Sequence, residues 1–195
     1  MGILVAMVIG AIYYVPKWVD KILENYPSES HTKQETIEGF ETDYIINGML
    51  QDMLTDYKAD RAKLVQFHNG VQSFGGVPFR FLAVSHEKVG TGVSSEMIEY
   101  QNIPTSIMGD YVQLLLRGET VVMTDVSEVK DNALKQLLIN QGTKAKCAQP
   151  IFTTGNQLVG YISIDYVNRG IPEGVSCQTL SREAKVLENI LFNEE

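Results

Sequence analysis

The residues best able to do chemistry in this chain are three histidines, His31, His68 and His86, and two cysteines, Cys147 and Cys177. Their spacing supplies no metal site: there is no HxxH or HExxH pair, and neither cysteine has a CxxC partner. His68 ends a strand-like run and opens the turn His68-Asn69-Gly70. It becomes a catalytic base only if a serine or cysteine folds against it. Ser85-His86-Glu87 sets acid and base types side by side, yet neighbours on an extended chain point to opposite faces and cannot converge without a bend. Gly75-Gly76 lacks the GxGxxG or GK[ST] spacing of a phosphate cradle. The expectation is a protein without catalytic residues, metal or cofactor.

Recognition is the stronger signal. Between two strand-like runs the chain concentrates Phe67, His68, Asn69, Phe74, Phe79, Arg80, Phe81 and His86, which mix aromatic surface with hydrogen-bonding groups. Phe67, His68, Asn69, Phe74, Arg80 and Phe81 are therefore candidate ligand-binding residues. A net charge of -8 and a pI near 4.9, with no Lys/Arg cluster, argue against a nucleic-acid partner or a polybasic lipid patch.

The elements that must position these residues can be read from periodicity. Residues 1–19 begin with fifteen uncharged residues and close on Pro16, Lys17 and Trp18, which predicts a short transmembrane helix with interfacial Tyr13, Tyr14 and Trp18. Lys17 and Lys21 weakly favour a domain on the cytoplasmic side of an inner membrane. Residues 20–36 are expected to link anchor and domain, and 37–195 to form one domain large enough for its own core. Over 37–57 an apolar stripe of Ile37, Phe40, Tyr44, Ile46, Met49, Leu50, Met53 and Tyr57 predicts a helix that covers the domain's sheet or pairs with a second copy. Strands are predicted at 62–67, 79–84, 120–124, 146–152 and 158–166, and helices at 102–116, 125–140 and 179–192, with Gly118 and Gly142 as stops. This order implies an α+β fold, an antiparallel sheet covered by helices. Cys147 and Cys177 are open to two readings, cytosolic thiols or one disulfide in an oxidising space.

The closing hairpin, with Ala148, Pro150 and Gly160 ahead of a hydrophobic run ending in an aromatic, resembles that of GAF domains, a sensory fold related to PAS. The resemblance covers 37–192. It implies a ligand pocket over the sheet, beneath the 67–92 connection and extending to Tyr111. A narrower pattern is similar to T-even-type phage holins: one N-terminal span, the entry at Lys58 to Ala62, Cys147 and Pro150, then Asn168-Arg169 and a final helix. That resemblance implies a homo-oligomer that breaches the membrane under an antiholin-like regulatory protein. The alternative is a membrane-tethered sensor or dimerisation module for a small ligand.

Overall fold

Four helices share the two faces of one sheet, and the strand alternation decides which side chains meet them. The computed structural model describes residues 29–72 and 78–192. Its elements are α1 (Glu29–Asp56), β1 (Arg61–Gln72), β2 (Pro78–Val89), β3 (Ile103–Pro104), α2 (Gly109–Leu116), β4 (Val121–Met123), α3 (Asn132–Asn140), β5 (Thr143–Phe152), β6 (Leu158–Val167) and α4 (Leu180–Phe192). By contacts the chain separates into two units, Met1–Glu41 and Thr42–Glu195. In the first, residues 29–41 are helical and Phe40 is exposed.

The sheet has the order β3-β2-β1-β6-β5-β4 with every pair antiparallel. The expected α+β architecture with an antiparallel sheet is present. One face is apolar: Ala62, Leu64, Cys147, Ile162, Ile164 and Tyr166 pack under Ile46, Leu50 and Met53 of α1 and Leu180, Ala184 and Leu187 of α4. The other carries Val65, Val84, Ala148 and Tyr161 beneath Tyr111 and Leu115 of α2 and Leu134 and Leu138 of α3. Gly160 lets β6 approach β1 closely, since a Cβ there would lie 2.2 Å from the Val65 carbonyl oxygen.

Several boundaries differ from the sequence reading. Helix α1 starts at Glu29, inside the segment expected as a linker. Its apolar stripe divides, with Ile46, Leu50, Met53 and Tyr57 buried while Tyr44 remains 82% exposed. The helix expected over 102–116 is only α2, because Ile103 and Pro104 pair with β2 at the sheet edge, where a residue without an N–H is tolerated. The helix expected over 125–140 is two pieces with separate caps. Asp125 accepts from the Ser127 N–H, and Asp131 accepts from the Ala133 and Leu134 N–H groups. Gly118 and Gly142 do follow their helices with φ of +77° and +67°. Among the described residues no helix is long and apolar enough to cross a membrane, and the expected span at 1–19 lies outside them.

Candidate functional site

Period-two alternation along the central strands turns Lys63 of β1, Lys146 of β5 and Tyr161, Ser163 and Asp165 of β6 toward the face that α2 and α3 cover. The register brings them together: Lys63 stands opposite Ser163, and Lys146 opposite Asp165. Lys63 Nζ lies 2.5 Å from Asp165 Oδ2 and 2.8 Å from Glu96 Oε2. Lys146 Nζ donates to Asp165 Oδ1 at 2.7 Å and to Ser163 Oγ at 2.9 Å. Arg61 Nη1 is 2.8 Å from Glu96 Oε1 and also donates to the Gln141 carbonyl at 2.9 Å, while its Nε donates to the Ser94 carbonyl at 3.1 Å.

Glu96 reaches this interior because the loop carrying it is folded onto Glu87. One Glu87 oxygen accepts from the Glu96 N–H at 2.8 Å, the Met97 N–H at 3.2 Å and the Ser95 hydroxyl at 2.5 Å. The result is a network of five buried charges, each no more than 4% exposed. Among these five fully buried residues Arg61, Lys63 and Lys146 outnumber Glu96 and Asp165 by one positive charge, while Asp60 and Glu87 add negative charge from the half-buried margin. Burying unpaired charge is costly, and the pairs persist only because hydrogen bonds surround them.

The titration behaviour follows from that arrangement. Burial opposes ionisation of Asp165, but Lys146 and Lys63 outweigh it and hold the carboxyl down at about 2. Lys146 goes the other way. Burial disfavours its ammonium, Lys63 adds repulsion, and the attraction of Asp165 leaves it at about 8. Lys63 is disfavoured by burial too, yet Asp165 and Glu96 together raise it above the ordinary lysine range.

Against this network lies a small, largely enclosed cavity of about 30 Å³. Its polar lining includes Lys63, Lys146, Tyr111, Tyr161 and Gln141, and its apolar lining includes Val84, Met108 and Leu138. Tyr161 stands edge-on to Tyr111 with ring centroids 5.6 Å apart, and Lys146 Nζ sits 5.7 Å from the Tyr161 ring centroid. The Tyr111 hydroxyl lies beside Tyr161 but has no aligned hydrogen-bond partner, although the residue is only 3% exposed. Burial holds the hydroxyls of both tyrosines protonated well above their usual range. A cavity of this size admits about two waters or one small ion.

The sequence-predicted residues divide between this cavity and its surroundings. Tyr111 lines it. Phe67 and Arg80 instead line a separate open groove of about 380 Å³ with Thr105, Val112, Leu116 and Leu158. His68 holds its loop rather than a ligand: Nε2 is 3.3 Å from the Gln101 carbonyl oxygen and the ring stacks on Phe81 at 6.0 Å. Asn69 is in β1 opposite Arg80, and Phe74 lies outside the described residues. Lys63, Glu96, Lys146, Tyr161 and Asp165 were not expected. Their signal was present as polar residues alternating with Leu64, Cys147, Ile162 and Ile164, but alternation alone reads as a solvated face.

Ser85 and His86 also depart from expectation. A bulge between Leu64 and Val65 shifts the register of β1 against β2, and the bend lets Ser85 Oγ sit 3.1 Å from His86 Nδ1. His86 Nε2 lies 2.9 Å from Asp43 Oδ1. The Ser85 hydroxyl donates to the Leu64 carbonyl at 3.3 Å, so its proton is held by backbone and the group is a fastening, not an activated nucleophile.

No family model matches the chain, and no curated protein matches it in sequence. Solved structures do match. The cyanobacteriochrome receptor PixJ aligns with a TM-score of 0.60 at 16% identity over 78% of this chain and 99% of that one. A protein in its far-red absorbing dark state with bound biliverdin aligns with a TM-score of 0.57 at 13% identity over 73% and 84%. The GAF domain region of a Geobacter sulfurreducens PCA protein gives 0.56 at 14% identity over 80% and 95%.

The fold is GAF-like. In this GAF-like domain the cavity lies between the sheet and helices α2 and α3, on the face opposite α1 and α4. The fold expectation is thereby met at the level of the GAF architecture.

Proposed function

We propose that the chain is a membrane-tethered, non-enzymatic sensor whose GAF-like domain binds a small ligand in the cavity beneath α2 and α3. The observation that carries this reading is the Tyr111 hydroxyl, buried without an aligned partner beside two lysines at the edge of an enclosed space. A buried polar group with no partner costs roughly 1–3 kcal/mol, and a ligand that supplies the partner recovers it. A biliverdin of the kind named for the far-red neighbour cannot occupy about 30 Å³, so the ligand is a small one. The tether rests on the uncharged run at 1–15, and self-association on the exposed Tyr44 and Ile45 of α1 and Val186 of α4.

The phage-lysis reading has weaker support, because the residues that carry its resemblance have work inside the domain. Cys147 is bonded to Cys177, and Pro150 lies in β5. Arg169 forks Asp60 through Nη2 and Nε at 2.7 and 2.9 Å and donates to the Lys58 carbonyl at 2.7 Å. The disulfide supports a domain that faces an oxidising space, against the weak lysine preference of the N-terminus.

Thermal melting of the full chain in detergent against a small-molecule panel tests the sensor reading. A ligand is expected to raise the Tm of the parent and not of Leu138→Phe, which fills the cavity; a panel hit that ignores this substitution overturns the site. Expression in bacteria is expected to leave the membrane intact, and abrupt lysis that a proline within 5–12 abolishes would restore the holin reading. Cells quenched in acid, denatured and treated with maleimide without reductant are expected to leave Cys147 and Cys177 unlabelled, and labelling of both would refute the oxidising side.

A further inference from the structure

We infer that the cavity beneath α2 and α3 is a binding site for a small monovalent anion, of the size of formate, nitrate or chloride, held by Lys146 and the Tyr111 hydroxyl. This deepens the sensor reading and rests on it. Three features of the cavity converge.

The first is charge. Among the fully buried residues described, Arg61, Lys63 and Lys146 exceed Glu96 and Asp165 by one positive charge, and the half-buried Glu87 carboxylate is turned to the backbone N–H groups of the Glu96 loop, so one monovalent anion neutralises these five groups. A cation would worsen the imbalance, and a neutral ligand would leave it.

The second is donors. Lys146 has three N–H groups, and Asp165 and Ser163 take two. Tyr111 is a hydroxyl 97% buried that lines the cavity with no aligned partner, and burial keeps it and Tyr161 protonated as donors. An ionised acceptor makes hydrogen bonds about twice as strong as a neutral one, so the site favours an anion over a water of the same size.

The third is space. About 30 Å³ admits one ion of three or so heavy atoms and excludes bulky ones unless α2 and α3 move. The walls on the helix side are Met108, Leu134 and Leu138, which shield the ion from water and strengthen its attraction to Lys146.

Every charged or titratable group described around Lys146 takes part in the expected pH dependence: Lys63 and Arg61 from β1, Asp165 and Tyr161 from β6, Tyr111 from α2, and Glu96 from the loop after β2. The carboxylates are paired and the tyrosines protonated, which leaves Lys146 as the group that loses its proton first above neutrality. Its deprotonation removes the excess charge, so anion affinity falls as pH rises through about 8.

The test is thermal melting and isothermal calorimetry of the full chain in neutral detergent at constant ionic strength. Sodium formate, nitrate or chloride replaces sodium gluconate, whose anion is too large to enter, and formamide serves as the uncharged analogue of formate. The expected result is a saturable rise in Tm with at least one small anion at pH 7, weakened at least tenfold at pH 9. Tyr111→Phe, which removes one oxygen and keeps the ring, is expected to weaken binding at least fivefold, and Lys146→Met to abolish it. No saturable response relative to gluconate overturns the inference, as does an equal response in Tyr111→Phe. If formamide shifts the parent as strongly as formate and Tyr111→Phe blunts both, the anion inference fails while the sensor reading stands. Silence toward the anions and formamide, together with a Leu138→Phe variant that behaves as the parent toward every panel compound, removes both.

Discussion

The two faces of the central sheet are built from the same three strands and stabilised in opposite ways. Under α1 and α4 the face is Ala62, Leu64, Cys147, Ile162, Ile164 and Tyr166, closed by burial of apolar area and stapled by the Cys147–Cys177 disulfide. Under α2 and α3 the intervening residues include Lys63, Lys146, Ser163 and Asp165, which gain little from burial and persist because each meets another. An apolar face tolerates the loss of one methyl group. A network of buried charges does not tolerate the loss of one partner, since the remaining charge has nowhere to go. Proteins that need only stability have little reason to keep such a network, which is why the polar face is where the ligand site is proposed.

Adjacent residues of β6 put that contrast to the most severe test. Asp165→Asn keeps the side-chain volume but leaves Lys63 and Lys146 facing a neutral amide, and is expected to destabilise by about 3–5 kcal/mol. Ile164→Val, one position away and pointing to the apolar face, is expected to cost about 1 kcal/mol. Urea unfolding of both variants measures the ratio; equal costs would mean that the polar network contributes no special dependence. The staple comes next. The disulfide joins residues 30 apart, and the paired substitution of Cys147 and Cys177 by alanine is expected to cost about 3 kcal/mol, read as a lower denaturation midpoint that reductant no longer changes.

Protonation separates the faces without mutation, since the apolar one has only tyrosines to titrate and burial raises Tyr57 and Tyr166 above the ordinary tyrosine value. Lys146 has a folded value near 8, below its unfolded value of 10.5, so the unfolded chain binds more protons between those values and stability rises with pH across that window. Below about 8 both states are protonated and the penalty is fully present. Lys63 acts with the opposite sign and later: its raised folded value contributes stability that is complete below 10.5 and is lost only above it. Asp165 contributes stability present above 3.8 that disappears as pH falls toward about 2. Chemical denaturation of the parent at pH 7.5 and 10 is expected to show a gain of order 2 kcal/mol that Lys146→Met flattens. A flat parent profile would put Lys146 in a better solvated place than the cavity wall.

The apolar face was legible in the chain and the polar one was not, for a physical reason. Ile46, Leu50, Met53, Leu180, Ala184 and Leu187 recur at helical spacing, and the hairpin glycine Gly160 precedes Ile162, Ile164 and Tyr166 at alternate positions, so the element order and the antiparallel sheet followed. Lys146, Ser163 and Asp165 alternate with buried residues in the way solvent-facing residues do. Only a count of covering helices distinguishes the cases: with α1 and α4 on one side and α2 and α3 on the other, the central strands have no solvated face. Tyr111 was found through the GAF resemblance. Phe67, His68, Arg80 and Phe81 were chosen because aromatic and polar types crowd between two strands, and the structure gives Phe67 and Arg80 to an outer groove and His68 and Phe81 to each other. Ser85 and His86 escaped because a bulge breaks the alternation on which their exclusion rested.

That pair provides the mildest test of the contrast, because it joins a charge and an acceptor at the surface instead of the interior. His86 meets Asp43 at 2.9 Å, but the Asp43 side chain is 58% exposed, so water screens the pair and replaces it when it breaks. His86→Gln is expected to change stability by less than about 1 kcal/mol, several times less than Asp165→Asn, with the remaining effect coming from the bond to Ser85. The difference lies in the medium and not in the geometry, since the two contacts have nearly the same length. A double-mutant cycle pairing His86→Gln with Asp43→Asn isolates the interaction, and a coupling energy as large as that of Lys146 with Asp165 would show that burial is not what makes the polar face sensitive.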